Sequence, residues 1–354
     1  MFLENFKKLS SSSQKTCRYG GILLNRNQPD KHEFLPPALL ISAGGLFGLI
    51  PVFAATMRDL GLSSTETVFL RLVFASTIGL AALSTFSVRR SRRRVLLDSF
   101  RAQRGYFLQG ILLTLAIYSY VASLSLHTPI GEAAFLVQIH PLITLLIGRM
   151  FLKETITKAK RIAVVLAIVG LFILAEPWRW ESFLSSVVGD TFALLNGLFY
   201  ALYIILGRAE VRNREKIGEV VSMGWVLFWS FLTGIFLFVS LSIFPPITGL
   251  NTFDLSKVIS SELLLLGLGL ALVGSIVPYF MIMIATKYIE SSRASILLLG
   301  EAISAAILGY IFLQEPITIF YFMGGGLLLI AIIIITLVSM PPTTQKSGQN
   351  TSEE

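Results

Sequence analysis

Ten apolar runs dominate the chain, near residues 38–57, 66–86, 106–126, 130–152, 162–175, 187–207, 220–244, 262–285, 294–313 and 317–339. Most are about the length a helix needs to cross ~30 Å of hydrocarbon. The fifth is short, but Trp178 and Trp180 just beyond it suit an aromatic belt at the membrane surface and extend its reach. Only 14% of the 354 residues are charged and 54% are apolar, against roughly 25% charged in an ordinary soluble domain. The reading is an all-α polytopic membrane protein with ten transmembrane helices, not a soluble body on one anchor.

A single cysteine, Cys17, and three histidines, His32, His127 and His140, cannot furnish a disulfide, a thiolate metal site or a histidine cluster from this chain alone. No cofactor or metal is therefore expected. Residues 1–35 contain SSSQKT but no apolar stretch followed by a small-residue cleavage site, so no secretory signal is read. Glu4, Asp30 and Glu33 argue against a transit peptide. Residues 1–35 and 341–354 are expected to be cytoplasmic tails, and the sequon at Asn350 is read as chance.

The formal charge of +8 would suggest nucleic acid in a soluble protein, but topology accounts for it. With the N-terminus inside, 25 of the 29 lysines and arginines fall on inside segments. Only Arg58, Arg179 and Lys257 fall outside, and Arg71 lies within a span. The positive-inside rule then puts both termini in the cytoplasm. The run RRSRRR at 89–94 is read as a topogenic loop beside an anionic leaflet.

Laying 131–157 over 292–318, an offset of 161, aligns FLKETIT with FLQEPIT and matches eight of 27 positions. The same offset brings Tyr118 onto Tyr279, and GLF at 45–47 recurs at 197–199. Two halves of five spans follow. An odd number per half turns the second copy over in the membrane, giving two inverted five-helix repeats.

The 5+5 arrangement, the basic loop between spans 2 and 3, Pro141 in span 4, and Glu154 and Glu315 just past spans 4 and 9 together resemble the drug/metabolite transporter superfamily, and within it the EamA-type ten-helix permeases. The resemblance covers about residues 36–340, with 36–175 as the first five-helix repeat and 176–340 as the second. It implies ten helices around a central cavity, with spans 5 and 10 at the periphery. Two features depart from the pattern: the long basic N-terminal tail, and Glu301-Ala302 where the family often reads Glu-Pro, which leaves a kink there without its usual cause.

Polar side chains inside hydrocarbon need a partner or a purpose, because a charge at a helix centre costs ~2.5–3.5 kcal/mol on insertion scales. Glu301 and His140 fall ~10–15 Å deep in spans 9 and 4, at ~1.5 Å per residue, and the offset of 161 pairs them. A carboxylate and an imidazole there can bind an amine-bearing solute or exchange protons. The alternative is structural, with Glu301 protonated and bonded to a neighbour and His140 satisfying a carbonyl freed by Pro141. Gln138 is not expected to share a helix face with His140, two residues away.

Arg71 lies five residues after Glu66, so its guanidinium is expected to snorkel to the outer interface; the functional alternative is a grip on a substrate carboxylate. Asn196 is expected to face the bundle interior. Among the aromatics, Tyr118, Tyr203, Trp229 and Tyr279 are the candidates for a cavity wall, where they would suit an amino acid, an aromatic metabolite or an organic cation. Pro51, Pro141 and Pro278 interrupt spans 1, 4 and 8. Gly44, Gly48 and Gly324 to Gly326 suggest close helix packing. Glu154 and Glu315 are read as local caps on opposite membrane sides.

Opposed repeats, a sparse polar midplane and the lack of a P-loop favour secondary transport, with export of a small metabolite by alternating access, possible proton coupling and no enzyme activity. A membrane-embedded enzyme, an uncoupled facilitator and a scaffold are the alternatives. The expected partners are a small-molecule substrate and the lipid bilayer, with homodimerisation an open option and no nucleic acid. The expected location is a bacterial inner membrane.

Overall fold

The computed structural model describes residues 31–89, 103–126, 128, 133, 136–175, 178, 187–210, 218–243, 253–314 and 318–339. Both tails apart from the stretch beginning at Lys31, the arginine run beyond Arg89, Trp180, Glu315 and the Asn350 sequon lie outside them.

Every regular element among the described residues is helical. In chain order they are α1 (Lys31–Phe47), α2 (Ile50–Asp59), α3 (Ser64–Arg89), α4 (Gln103–Ser125), α5 (His140–Leu152), α6 (Lys158–Ala175), α7 (Val187–Ala209), α8 (Glu219–Leu241), the short α9 (Leu255–Val258), α10 (Ser261–Ala271), a π-helical turn (Leu272–Ile276), α11 (Val277–Ala285), α12 (Ser291–Leu297), α13 (Gly300–Leu313) and α14 (Ile319–Ser339). Joined across their breaks, eight stretches among the described residues are long and apolar enough to cross a membrane, and α5 is a shorter apolar helix. These stretches make the chain an integral membrane protein. Residues 31–35, expected in the tail, continue α1.

The three interrupting prolines share one local position. Pro51, Pro141 and Pro278 each stand in the first turn of a helix that resumes after a break, α2, α5 and α11. Proline is tolerated there because the helical ladder is already interrupted just ahead of it, so the carbonyl it leaves without a donor lies at the break. Ahead of them lie turns at Gly48–Leu49 and Gln138–Ile139 and the π-helical turn. A fourth break, at Leu298–Leu299 before α13, forms with Ala302 where a proline was missed. The kink therefore does not depend on that proline.

Local geometry repeats at the offset of 161. The breaks before α5 and α13 lie 160 residues apart, within one position of that offset, and both helices end on a left-handed non-glycine residue, Lys153 (φ 56°) and Gln314 (φ 55°), at the offset itself.

In lipid, helices associate by close packing and interhelical hydrogen bonds rather than by the hydrophobic effect. α4 packs on α7 and α8, α3 on α8 and α10, and α1 on α11 and α13. α6 and α14 lie along each other at one edge, where a Cβ on Gly170 would stand 2.8 Å from the Gly324 carbonyl. Gly325 and Gly326, expected to pack, face open space instead. Gly48 is a true contact glycine: a Cβ there would run into the Ser304 hydroxyl. Large apolar side chains such as Phe236, Phe322 and Met150 stay exposed, the outward surface that a bilayer solvates.

Candidate functional site

Two broken helices set the site. His140 opens α5 just past Gln138–Ile139, and Glu301 stands in the first turn of α13 just past Leu298–Leu299. A glycine brings another helix against each break. A Cβ on Gly44 would lie 2.8 Å from the Leu298 carbonyl oxygen and 3.1 Å from the Glu301 nitrogen, and one on Gly197 would lie 2.8 Å from the Val137 carbonyl oxygen. Val137 is four residues before Pro141, so its carbonyl is one that the proline deprives of a helical donor.

Between the breaks lies a cavity of about 30 Å³. Its polar wall is Glu301, Arg71, Asn196, Tyr120, Tyr200 and Tyr279, completed by Phe47, Ile50, Ile117 and Val137. Glu301 lies ten residues into the Ser291–Leu313 span, ~15 Å along its axis. It is 7% exposed and hydrogen-bonded to the Gln138 amide. Gln138 Oε1 in turn meets His140 Nε2 at 2.9 Å, so carboxylate, amide and imidazole form a chain. With Oε1 as the acceptor, Nε2 carries the hydrogen, and Nδ1 has no hydrogen-bond partner among the described residues.

Arg71 is 1% exposed. Its Nε donates to Ser275 Oγ at 2.7 Å, a terminal nitrogen donates to the Gly274 carbonyl, and it also hydrogen-bonds Tyr279. The guanidinium and the Glu301 carboxylate share one cavity and attract each other. Asn196 Nδ2 donates to the Ala116 carbonyl at 2.7 Å, tying α7 to α4. Its Oδ1 and the Tyr200 hydroxyl have no partner among the described residues. Unpaired buried polar atoms each cost ~1–3 kcal/mol, which a polar ligand or water entering the cavity would recover.

Four of the candidate residues thus come together: Glu301, Arg71, Asn196 and Tyr279. Arg71 corrects an expectation, since it points inward rather than snorkelling; depth along a helix does not give direction around it. His140 is buried and touches Tyr200 edge-on at 5.0 Å, but does not itself line the cavity. Tyr203 stands behind the wall, 5.4 Å from the ring of Tyr279.

Tyr118 and Trp229 are not brought to the cavity. Tyr118 packs on Phe192 and Phe238 and bonds Thr65. Trp229 packs on Phe107 and donates to Gln103 Oε1 at 2.5 Å. Both are interhelical packing groups with a satisfied polar tip. Sequence reasoning missed Tyr120, Tyr200 and the part played by Gln138. The i, i+2 rule separates Gln138 from His140 only on a continuous helix, and the chain is broken between them. Pro141 was the available signal.

One end of the bundle is held by charge. Glu154, after α5, accepts at Oε1 from the backbone nitrogen and hydroxyl of Ser291 at 2.8 and 2.6 Å, and at Oε2 from those of Ser292 at 3.1 and 2.6 Å. It caps α12, in another part of the chain, rather than its own turn. Lys160, with its side chain fully buried, reaches Glu290 Oε2 at 2.5 Å and the Thr155 carbonyl at 2.7 Å. Lys287 pairs with Glu219, and Arg208 donates to the carbonyls of Thr286 and Lys287. At the other end Glu66 Oε1 accepts from the Asp254 nitrogen and Oε2 from the Ser63 nitrogen.

Comparison with known proteins agrees with this architecture. An uncharacterized transporter of Archaeoglobus fulgidus is 25% identical over 287 residues, covering 81% of this chain and 91% of that protein. An uncharacterized transporter of Methanothermobacter thermautotrophicus is 25% identical, covering 77% and 81%. A riboflavin transporter of Vibrio cholerae is 26% identical over 181 residues, 50% of this chain and 56% of that protein. A solved crystal structure superposes with a TM-score of 0.61 at 17% identity, covering 87% of this chain and 97% of its own, which speaks for the fold. The sequence model of the EamA-like transporter family matches twice, over 36–175 and 187–337. With the cavity sitting where those two matched segments meet, the chain belongs to the EamA-like transporter family.

Proposed function

We propose that the protein is a secondary active transporter that exports a small metabolite, an amino acid, amine or related compound, by alternating access. In this reading ten spans form two inverted five-helix halves, 36–175 and 176–340, with both termini in the cytoplasm of a bacterial cell. The backbone breaks 160 residues apart and the left-handed caps 161 residues apart support the repeat. The excess of lysine and arginine on the segments assigned inside supports the orientation.

The observation that carries the reading is the small cavity with a carboxylate and a guanidinium in its wall. Groups of this kind are costly inside a bundle and mark solute or ion pathways. At about 30 Å³ the cavity has room for about two water molecules, whereas a site that encloses a metabolite needs roughly 300 Å³ or more. In this reading a solute enters only when helices part to enlarge the cavity. Spans that break beside the cavity, at Leu49, Ile139, the π-helical turn and Leu299, supply the hinges.

Glu301 is the proposed solute or proton site, with Asn196, Arg71, Tyr279 and Tyr200 setting fit and His140 bracing through Gln138. The test is substrate-dependent proton movement in proteoliposomes, with a panel of amino acids, organic cations, nucleosides and sugars, for the native protein and Glu301→Gln. A pH signal for one class, lost in the variant, is expected. Solute movement without a proton signal, unimpaired in the variant, would make the protein a facilitator and Glu301 structural.

A further inference from the structure

The span Ser261–Ala285 crosses the bundle in three pieces: α10, the π-helical turn Leu272–Ile276 and α11. Pro278 stands four residues after Gly274, where an α-helix would supply the N–H for the Gly274 carbonyl, and proline has none. Arg71, from α3, donates to that same carbonyl, and its Nε donates to the hydroxyl of Ser275 next to it. The missing side chain at Gly274 makes room for the approach: a Cβ there would lie 3.4 Å from Arg71 Cζ. The guanidinium therefore stands in for a backbone donor that the sequence has removed.

The acceptors are also unusual for a buried arginine. Ser275, Gly274 and Tyr279 are all neutral and all on the broken span. The carboxylate that shares the cavity, Glu301 on α13, is a stronger acceptor and attracts the same cation. The other titratable groups facing the pair are the phenols of Tyr120 on α4, Tyr200 on α7 and Tyr279 on α11, together with His140, which reaches Glu301 only through Gln138.

We infer that Arg71 is a positioning residue that holds the break in the Ser261–Ala285 span, and that the Glu301 carboxylate competes for it, so that charge at Glu301 sets how firmly the break is held. Under the transport reading, neutralising Glu301 by a proton or a bound ammonium group leaves Arg71 on Gly274 and secures the break, while ionised Glu301 draws Arg71 away and loosens it. Only that consequence rests on the proposed function; the clamp stands or falls without any transport measurement.

The experiment is backbone hydrogen exchange of the full chain in lipid nanodiscs, without solute, read over peptides covering 272–282. Arg71→Gln is expected to raise exchange there about tenfold or more, the size of losing hydrogen bonds from a charged donor, and to leave α6 and α14 within about twofold. Pro278→Ala, which returns the missing N–H, is expected to suppress most of that rise in the double variant. Glu301→Gln, which removes the competitor, is expected to slow exchange in the same peptides. Should Arg71→Gln fail to fold, Ser275→Ala removes one acceptor alone and is expected to raise exchange about threefold. Unchanged exchange in the arginine and serine variants, a rise that Pro278→Ala leaves untouched, or faster exchange in Glu301→Gln would each overturn the inference.

Discussion

The break before α5 and the break before α13 have nearly the same backbone, and different chemistry stands on them. Each is a two-residue turn, each is approached by a glycine from another helix, and each helix that follows ends on a left-handed residue. Yet the first carries a histidine held by Gln138 outside the cavity wall, and the second a glutamate in the wall. Matching backbone thus does not mean matching roles. The carboxylate sits on one matched segment, and the other supplies the amide that orients it.

Four experiments sharpen or break that contrast. The largest effect is expected from Glu301→Gln, which should lower solute transport about tenfold to hundredfold, the loss of one or more hydrogen bonds to a charged group. His140→Gln should cost only about threefold; an equal loss in both would make the two breaks functionally equivalent. Next, Glu154→Ala leaves four donors on Ser291 and Ser292 without their acceptor and should destabilise the protein by about 3 kcal/mol, seen as a fall in detergent unfolding temperature. A silent Glu154→Ala would mean that α5 and α12 are held together by packing alone.

Gly44→Ala and Gly197→Ala each push a methyl group against a carbonyl at 2.8 Å and should each cost about 1–3 kcal/mol by the same unfolding measurement. If only one of them does, the shared geometry is not a shared packing constraint. The smallest change is expected for Trp229→Phe. It removes the bond to Gln103, costing about 1 kcal/mol of stability, and should leave transport within about twofold because the ring is remote from the wall.

Much of the architecture could be read from the residues. Eight of the ten apolar runs became, among the described residues, helices long and apolar enough to span, and prolines inside the runs marked three of the four breaks. Glu301 and Asn196 were legible because a carboxylate or an amide in hydrocarbon has few places to go. What was hidden was direction. Arg71 is near one end of α3 when counted along the axis, and nothing in the count says that it turns toward Gly274.

Tyr118 and Tyr120 show the same blindness. Two residues apart on one helix they face about 200° away from each other, and the symmetry with Tyr279 favoured the one that packs outside the cavity. Gln138 was expected to compete with His140 for the cavity by a rule for continuous helices, whereas it links His140 to Glu301. The break at Leu298–Leu299 had no proline to announce it, and Glu154 caps a helix 137 residues away, a partner that no local spacing reveals.

Under the proposed transport cycle, the pairing of Arg71 with Glu301 in one small cavity also bears on the electrical side. With Glu301 ionised the two charges cancel, so the membrane potential does little work on the empty bundle as it changes shape. Adding one proton or one cationic solute leaves a net charge to be moved, worth ~2.3 kcal/mol per 100 mV if it crosses the whole field. The potential would then act on the loaded protein and spare the empty one, which assigns voltage dependence to a single limb of the cycle.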